Sequence, residues 1–184
     1  MAPTTDGFTA DELARVRAGD RDAFERLFRS WYARLTSYAA NLTAQRDAAE
    51  DVVQEVFVAV WARRESLPDF EKLPGYLHRA VRNRSLNHLR QQRTAGRWLA
   101  GQEPDPGVPP VAESALVGAE AVQRVRAALA ALPPRTREVF LLSRDQGLTY
   151  PAIAETLGIS VKTVETLMSR ALRSLRESLS ETFS

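Results

Sequence analysis

Apolar residues recur every three to four positions along most of the chain, and no stretch alternates with period two over strand length. The spacing predicts helices throughout. Thr9-Ala10-Asp11-Glu12 has the form of a capping box. Asp20, after Gly19, is placed to cap a long helix whose stripe is Phe24, Leu27, Phe28, Trp31, Leu35 and Tyr38. A further helix is expected from about Asp47 to Arg64, with Val52, Val53, Val56, Phe57, Val60 and Trp61 on one side. Pro68 interrupts. Pro74 suits a first helical turn, and the helix it opens carries Leu77, Val81 and Leu89 among arginines.

The pattern then fails. Between Thr94 and Val111 stand Gly96, Gly101, Gly107, Pro104, Pro106, Pro109 and Pro110, a density that predicts a linker. A structureless stretch of that length is unusual inside one compact domain. The expectation is therefore an all-α protein of two small helical domains, 9–93 and 113–182, joined by a flexible strap over 94–112. The second domain opens with a helix through Val122, Val125 and Leu129 that stops before Pro133-Pro134. A helix through Val139, Phe140 and Leu142 follows, with Gly147 placed to end it. Thr149 can cap a short helix bearing Ile153, Ala154 and Leu157, which Gly158 breaks. Ser160 can cap a last long helix with Val161, Val164, Met168, Ala171, Leu175 and Leu179 inward.

Residues 149–170 carry the most specific local signal. A helix-turn-helix crosses at about 90–120°. It needs a small residue where the helices touch (Ala154), a turn glycine (Gly158) and a branched apolar residue reaching the shared core (Val164). Ile153, Leu157, Ile159 and Leu167 fill the rest. The second helix then turns Lys162, Thr163, Glu165, Thr166, Ser169, Arg170 and Arg173 outward, with Ser160 at its start. These are groups of the kind that reach base edges and phosphates in a major groove. Any three-helix unit also needs an Ala and a Gly, but the cap, the turn and the polar face together favour DNA binding. Arg170 and Arg173, toward the C-terminal half, suit phosphate. Lys162, Thr163 and Thr166 lie at the end that enters the groove first. Glu165 either accepts from a cytosine amino group or pairs with Arg170, poorly placed for it at i+5.

The 184 residues are 44% apolar and 26% charged, enough apolar content for packed cores. With no cysteine, disulfides, thiolate metal sites and cysteine nucleophiles are excluded. His78 and His88 are the only imidazoles, so no metal site or cofactor is expected. No Gly-rich phosphate loop or nucleophile–base arrangement appears, and an enzyme is not expected. The longest apolar runs fall short of a membrane span, and residues 1–8 lack a leader pattern; a soluble, cytoplasmic protein is expected.

Net charge is only +2, but its distribution is uneven. Asp47, Glu50, Asp51, Glu55, Glu65, Asp69 and Glu71 form an acidic block against Arg63 and Arg64. From Lys72 to Arg97 there are bases and no acid. Two abutting blocks of opposite sign suit different partners. Of the 25 basic residues only Lys72 and Lys162 are lysine. That excess of arginine fits phosphate recognition and fits equally a GC-rich genome. On the basic helix, Tyr76, His78, Arg79, Arg82, Asn83, Arg84, Asn87, Arg90 and Arg93 combine rings, amides and guanidiniums. Such a surface suits single-stranded nucleic acid, where rings stack on bases and arginines follow the backbone. A solvated charged face, with Tyr76 and His78 as edge packing, stands as the plain alternative.

Four blocks carry a resemblance. Asp47-Ala-Ala-Glu50-Asp51-Val-Val-Gln54-Glu55-Val-Phe57, Pro74-Gly-Tyr76-Leu77-His78-Arg79-Ala-Val-Arg82-Asn83-Arg84, Leu132-Pro-Pro-Arg-Thr-Arg-Glu138-Val-Phe140-Leu-Leu and the helix-turn-helix stand in the order and spacing of the extracytoplasmic-function sigma factors of bacteria, a sigma-70 group. The resemblance spans about residues 10–180 and implies a polymerase specificity factor built from the second and fourth sigma domains. Glu50, Asp51, Gln54, Glu55, Val56, Phe57 and Trp61 would then dock on the clamp of the largest subunit of core RNA polymerase, with the flap as a further contact. Tyr76, His78, Arg79, Arg82, Asn83, Arg84, Asn87 and Arg90 would capture the melted minus-ten strand around a flipped base. Ser160, Lys162, Thr163, Glu165, Thr166, Ser169, Arg170 and Arg173 would read the minus-thirty-five duplex of promoter DNA. An anti-sigma factor is an implied partner. Two positions depart from the family: Asn87 stands where an acid is common, and Glu165 where many members have a base. Residues 132–172 also resemble the effector domain of quorum-type response regulators, so a stand-alone helix-turn-helix regulator is the other reading. The helical pattern of 9–93, with no strand-borne aspartates, argues against the α/β receiver such a regulator carries.

Overall fold

A computed structural model describes residues 7–100 and 119–180, and every described element is helical. The chain divides into two compact units at 109/110. The first holds α1 (Ala10–Arg17), α2 (Arg21–Thr43), α3 (Arg46–Ala62), two short 3₁₀ turns (Arg64–Ser66 and Phe70–Lys72) and α4 (Leu73–Ala100). The second holds α5 (Ala119–Ala131), α6 (Pro134–Arg144), α7 (Tyr150–Leu157) and α8 (Val161–Ser180).

The expected caps form. Glu12 N–H donates to Thr9 Oγ1 at 3.3 Å, and Thr9 N–H donates to Glu12 Oε2 at 2.9 Å, closing the capping box of α1. Ala23 N–H donates to Asp20 Oδ1 at 3.0 Å and starts α2. The long α2 runs through the middle of the unit, with Leu27, Trp31, Leu35 and Tyr38 buried, and packs on both α3 and α4. Phe24 and Phe28 extend that stripe, and Phe57 of α3 sits 4.8 Å from the Phe28 ring. Truncating a fully buried aromatic such as Trp31 removes contacts worth about 3–5 kcal/mol. Between α2 and α3 the turn is made by Ala44 in a left-handed conformation (φ 61°), a position that usually goes to glycine.

One boundary differs from expectation. α4 does not stop at Arg93 but continues through Thr94 and Gly96 to Ala100. A single interior glycine costs only about 1 kcal/mol against alanine, and the next proline after Pro74 comes only at Pro104. Residues 101–112 of the expected strap lie outside the described residues.

In the second unit, Ala128, Leu132, Ala171 and Leu175 make a cluster joined by Leu129 and Phe140. Val139, Leu142, Ile153, Val164 and Met168 are buried beside the helix-turn-helix. Val161 was expected inward, but it is 39% exposed, because it precedes the packed stripe by a turn. The side chain of Leu179 lies outside the described residues.

Candidate polymerase and nucleic-acid interfaces

The acidic block of α3 separates by helical phase. Val52, Val53, Val56, Phe57 and Val60 point into the first unit, while Asp51, Gln54 and Glu55 are exposed. Glu50 is half-buried and accepts from Arg46 Nε at 2.9 Å. Two residues expected at a docking surface are thereby corrected. Val56 and Phe57 are 1% and 3% exposed and belong to the core, since they share a stripe with Val53 and Val60. Trp61 is half-buried against Phe24 (ring centroids 4.9 Å apart), with the Arg64 guanidinium 4.8 Å from its ring centroid. The apolar group this face does offer is Val58, which is 71% exposed. Sequence reading missed it, although the signal was there: 51, 55, 58 and 62 form one line at i, i+4, i+7, i+11. Asp51, Gln54, Glu55, Val58, Ala59 and Ala62 line a shallow groove closed on one side by Arg84 of α4, which is ion-paired with Glu55.

On α4 the spacing again sorts the residues. Tyr76, Arg79, Asn83, Asn87 and Arg90 fall within one face of the helix. Arg79, Asn83, Asn87 and Arg90 are exposed and Tyr76 is half-buried. Arg82 and Arg84 flank that face and are half-buried. Arg90 Nη1 donates to Asn87 Oδ1 at 2.9 Å, so the residue that stands in place of an acid still positions a guanidinium. His78 does not join them. It is 0% exposed on the opposite face, beside Leu77, Val81 and Ser85. Its Nδ1 lies 2.8 Å from Pro74 O, and its ring packs against Tyr38 (5.3 Å) and edge-on to Trp31 (6.0 Å). A ring so enclosed cannot stack on a base. The expectation that His78 contacts nucleic acid is corrected to a core role.

The helix-turn-helix is assembled as its spacing predicted. Ala152 N–H donates to Thr149 Oγ1 at 3.4 Å at the start of α7. Gly158 takes φ 64°, and Ile159 N–H closes the turn on Ala154 O at 3.0 Å. Thr163 N–H donates to Ser160 Oγ at 3.1 Å at the start of α8. Two arginines of α6 hold the frame. Arg135 Nη2 donates to Leu157 O (2.7 Å) at the end of α7. Arg137 donates from Nε to Leu129 O (2.8 Å) and from Nη2 to Leu132 O (3.2 Å) at the end of α5. Each guanidinium satisfies terminal carbonyls and meets the negative end of a helix dipole. Sequence reading gave these two no role, and their place just after Pro133-Pro134, at the start of α6, was the available clue.

Along α8, Ser160, Lys162, Thr163, Glu165, Thr166, Ser169, Arg170 and Arg173 are all exposed. Lys162, Arg170 and Arg173 make no ion pair among the described residues, and neither does Glu165, so the i+5 pairing with Arg170 does not form. The hydroxyls are less free. Ser160 Oγ and Thr163 Oγ1 lie 2.8 Å apart, and Thr166 Oγ1 donates to Lys162 O at 2.9 Å. Among the described residues no helix is long and apolar enough to cross a membrane, and no group of three or more potential metal ligands occurs.

Comparison with known proteins gives the family. The family description "Sigma-70 region 2" matches residues 27–95, and "Sigma-70, region 4" matches residues 122–175. A probable RNA polymerase sigma factor, RfaY of Xanthomonas campestris, is 31% identical over 99% of this chain, which spans 46% of that protein's length. The ECF RNA polymerase sigma factor SigW of Bacillus subtilis is 26% identical over 91% of this chain and 94% of its own. Among solved structures, CnrH in complex with the cytosolic domain of CnrY superposes with a TM-score of 0.64 at 25% identity, over 94% of this chain and 97% of that one. The sigma factor RpoE in complex with the anti-sigma factor NepR, from Bartonella quintana, gives 0.67 at 25% identity over 85% and 96%. Sigma factors are regulatory DNA-recognition proteins rather than catalysts. With one region 2 unit, one region 4 unit and this set of relatives, the chain belongs to the sigma-70 family, in its extracytoplasmic-function group, and its work is promoter-specific initiation of transcription.

Proposed function

We propose that this sigma factor joins core RNA polymerase through the α3 groove, captures the opened minus-ten strand on α4 and reads the minus-thirty-five duplex with α8. The observation that carries the reading is the separation of faces in the first unit. Asp51, Gln54, Glu55 and Val58 face one way on α3, while Tyr76, Arg79, Asn83, Asn87 and Arg90 share a different helix face. A hydrophobic centre with a polar, charged rim suits a protein contact. Amides and arginines beside a ring suit a splayed single strand. The units 9–93 and 113–182 act as two weak binders on one promoter. The stretch between them raises the local concentration of the second site once the first is engaged. Free factor is accordingly expected to bind promoter DNA poorly.

The setting is the cytoplasm, where polymerase and promoter meet. RpoE of Bartonella quintana was solved with an anti-sigma factor, and an anti-sigma partner that covers these faces is proposed for this chain as well. The deciding experiment is in vitro transcription with core polymerase on a genomic promoter library, with and without the protein. New start sites that depend on the chain are expected. Failure to co-purify with core, or a holoenzyme that initiates nowhere, overturns the reading. Specific binding of a purified dimer to a palindrome without polymerase would instead support a stand-alone regulator.

A further inference from the structure

Thr166 sits in the first half of α8, exposed, with Lys162 and Ser169 one turn away on the same face. Its hydroxyl proton is already used: Oγ1 donates to the Lys162 carbonyl at 2.9 Å. This back-bond to i−4 places the polar branch against the helix. The methyl is the branch left to face outward. Thr163, one turn earlier on an adjacent face, has its hydroxyl 2.8 Å from that of Ser160, which itself caps the Thr163 N–H. The exposed hydroxyl-bearing residues at the start of α8 therefore spend their hydroxyls on holding the helix start.

We infer that Thr166 is a specificity-determining residue that selects a thymine in the upstream promoter element, by contact between its methyl group and the thymine 5-methyl, and not by a hydroxyl hydrogen bond. This rests on the reading that α8 enters the major groove. Thymine is the one base that offers a methyl there, and threonine methyls are among the groups that meet it. The helix's N-terminal residues are the ones that approach base edges in a helix-turn-helix. Lys162 and Ser169, flanking Thr166, supply polar contacts on either side, so a base pair facing Thr166 meets an apolar spot within a polar strip. Arg170 and Arg173, further along and without ion-pair partners among the described residues, suit the phosphates that set the register.

The two branches of the threonine can be separated. Thr166→Ser keeps the hydroxyl and removes the methyl, whereas Thr166→Val keeps the methyl and removes the hydroxyl. The full chain is assembled with core polymerase, and a promoter recovered from the genomic library is used as a labelled fragment. Each thymine of its upstream element is replaced in turn by deoxyuridine, which deletes only the 5-methyl. For wild type, one replacement is expected to weaken binding about fourfold, the size of one buried methylene-equivalent. Thr166→Ser should bind the unmodified promoter about fourfold more weakly and lose its response to that deoxyuridine. Thr166→Val should keep both the affinity and the response.

Loss with valine and retention with serine would mean the hydroxyl reads the base, overturning the inference. So would an upstream element without thymine, no deoxyuridine effect at any position, or an effect that persists in Thr166→Ser. Circular dichroism of each variant checks that α8 is intact, and a variant that fails to fold is replaced by the deoxyuridine scan on wild type with Thr166→Ala. A holoenzyme that initiates on no promoter brings down the parent reading, and this one with it; a holoenzyme that initiates normally but ignores the methyl brings down this one alone.

Discussion

α4 and α8 both present a polar strip to solvent, but they hold their charges differently. On α4 most of the cations beside the strip are engaged: Arg84 is ion-paired with Glu55, Arg90 donates to the neutral amide of Asn87, and Arg79 and Arg82 each have a partner as well. On α8, Lys162, Arg170 and Arg173 have no ion-pair partner among the described residues, while the hydroxyls of Ser160, Thr163 and Thr166 are tied down. A paired guanidinium must give up its partner before it neutralises a phosphate, so its net gain is small. An unpaired one releases counterions in full on meeting DNA. On the proposed reading, the unpaired cations of the second unit would give a salt-dependent grip on duplex, and the first unit would hold the Tyr76 ring and the amides in position for a strand that opens beside it.

The largest effects should come from the face that neither strip includes. Asp51→Arg reverses a charge beside exposed Val58, and Val58→Asp puts a charge in the apolar centre. Each should weaken holoenzyme formation at least about tenfold, as truncations at an interface centre do, without moving the melting temperature of the free protein. Core pull-down with titration, beside a thermal melt, checks both halves. Unchanged pull-down would remove α3 from the docking surface.

Next come the two strips themselves. Arg170→Ala and Arg173→Ala are each expected to weaken promoter binding by the holoenzyme about uniformly across sequences and to lower the salt slope by about 1. Arg84→Ala should lower it by clearly less, because Glu55 already neutralises that guanidinium. Affinities at several salt concentrations decide the matter, and equal slopes for the three variants would erase the contrast between the helices.

His78 tests the inward side of α4. His78→Ala removes a buried ring and its bond to Pro74 O, and should cost about 2–4 kcal/mol by denaturant unfolding. The salt slope should not change. A loss of strand binding with stability intact would restore the histidine to the nucleic-acid face.

That residue also marks how far the sequence could be read. Helix periods, the caps at Thr9, Asp20, Thr149 and Ser160, and the turn at Gly158 were legible, because each depends on neighbours a few residues away. His78 was misread by its chemistry, though its position one residue after Leu77 and three before Val81 placed it inward. Val56 and Phe57 carried two readings, docking contact and apolar side of the helix, and their burial beside Val53 and Val60 leaves only the second. The carbonyl clamps of Arg135 and Arg137 were barely legible. They join residues up to 22 apart through backbone oxygens, and the clue was only the arginines' place just after Pro133-Pro134. Nor was the turn at Ala44 foreseen, since an alanine carries no sequence signal for the left-handed conformation it takes there.

The smallest expected effect concerns the α1–α2 corner and acid. The Arg26 guanidinium, donating to Glu12 Oε1 at 2.5 Å, holds that carboxyl below its ordinary value of 4.5, and the Thr9 N–H adds to this. A carboxyl depressed in the fold contributes stability that is fully present above 4.5 and is lost as pH falls through the lowered value. Asp20, lowered by the Ala23 N–H and then by Arg15, acts in the same direction below 3.8. Both sites are near solvent, so screening keeps the effect modest. Glu12→Gln separates the two roles of the residue, because glutamine can still close the capping box but cannot titrate. Its melting temperature should lie slightly below wild type at pH 7, with a smaller gap at pH 3. A variant that stays below wild type by the same margin at both pH values would mean that the ion pair with Arg26 contributes nothing and that only the shape of the box matters.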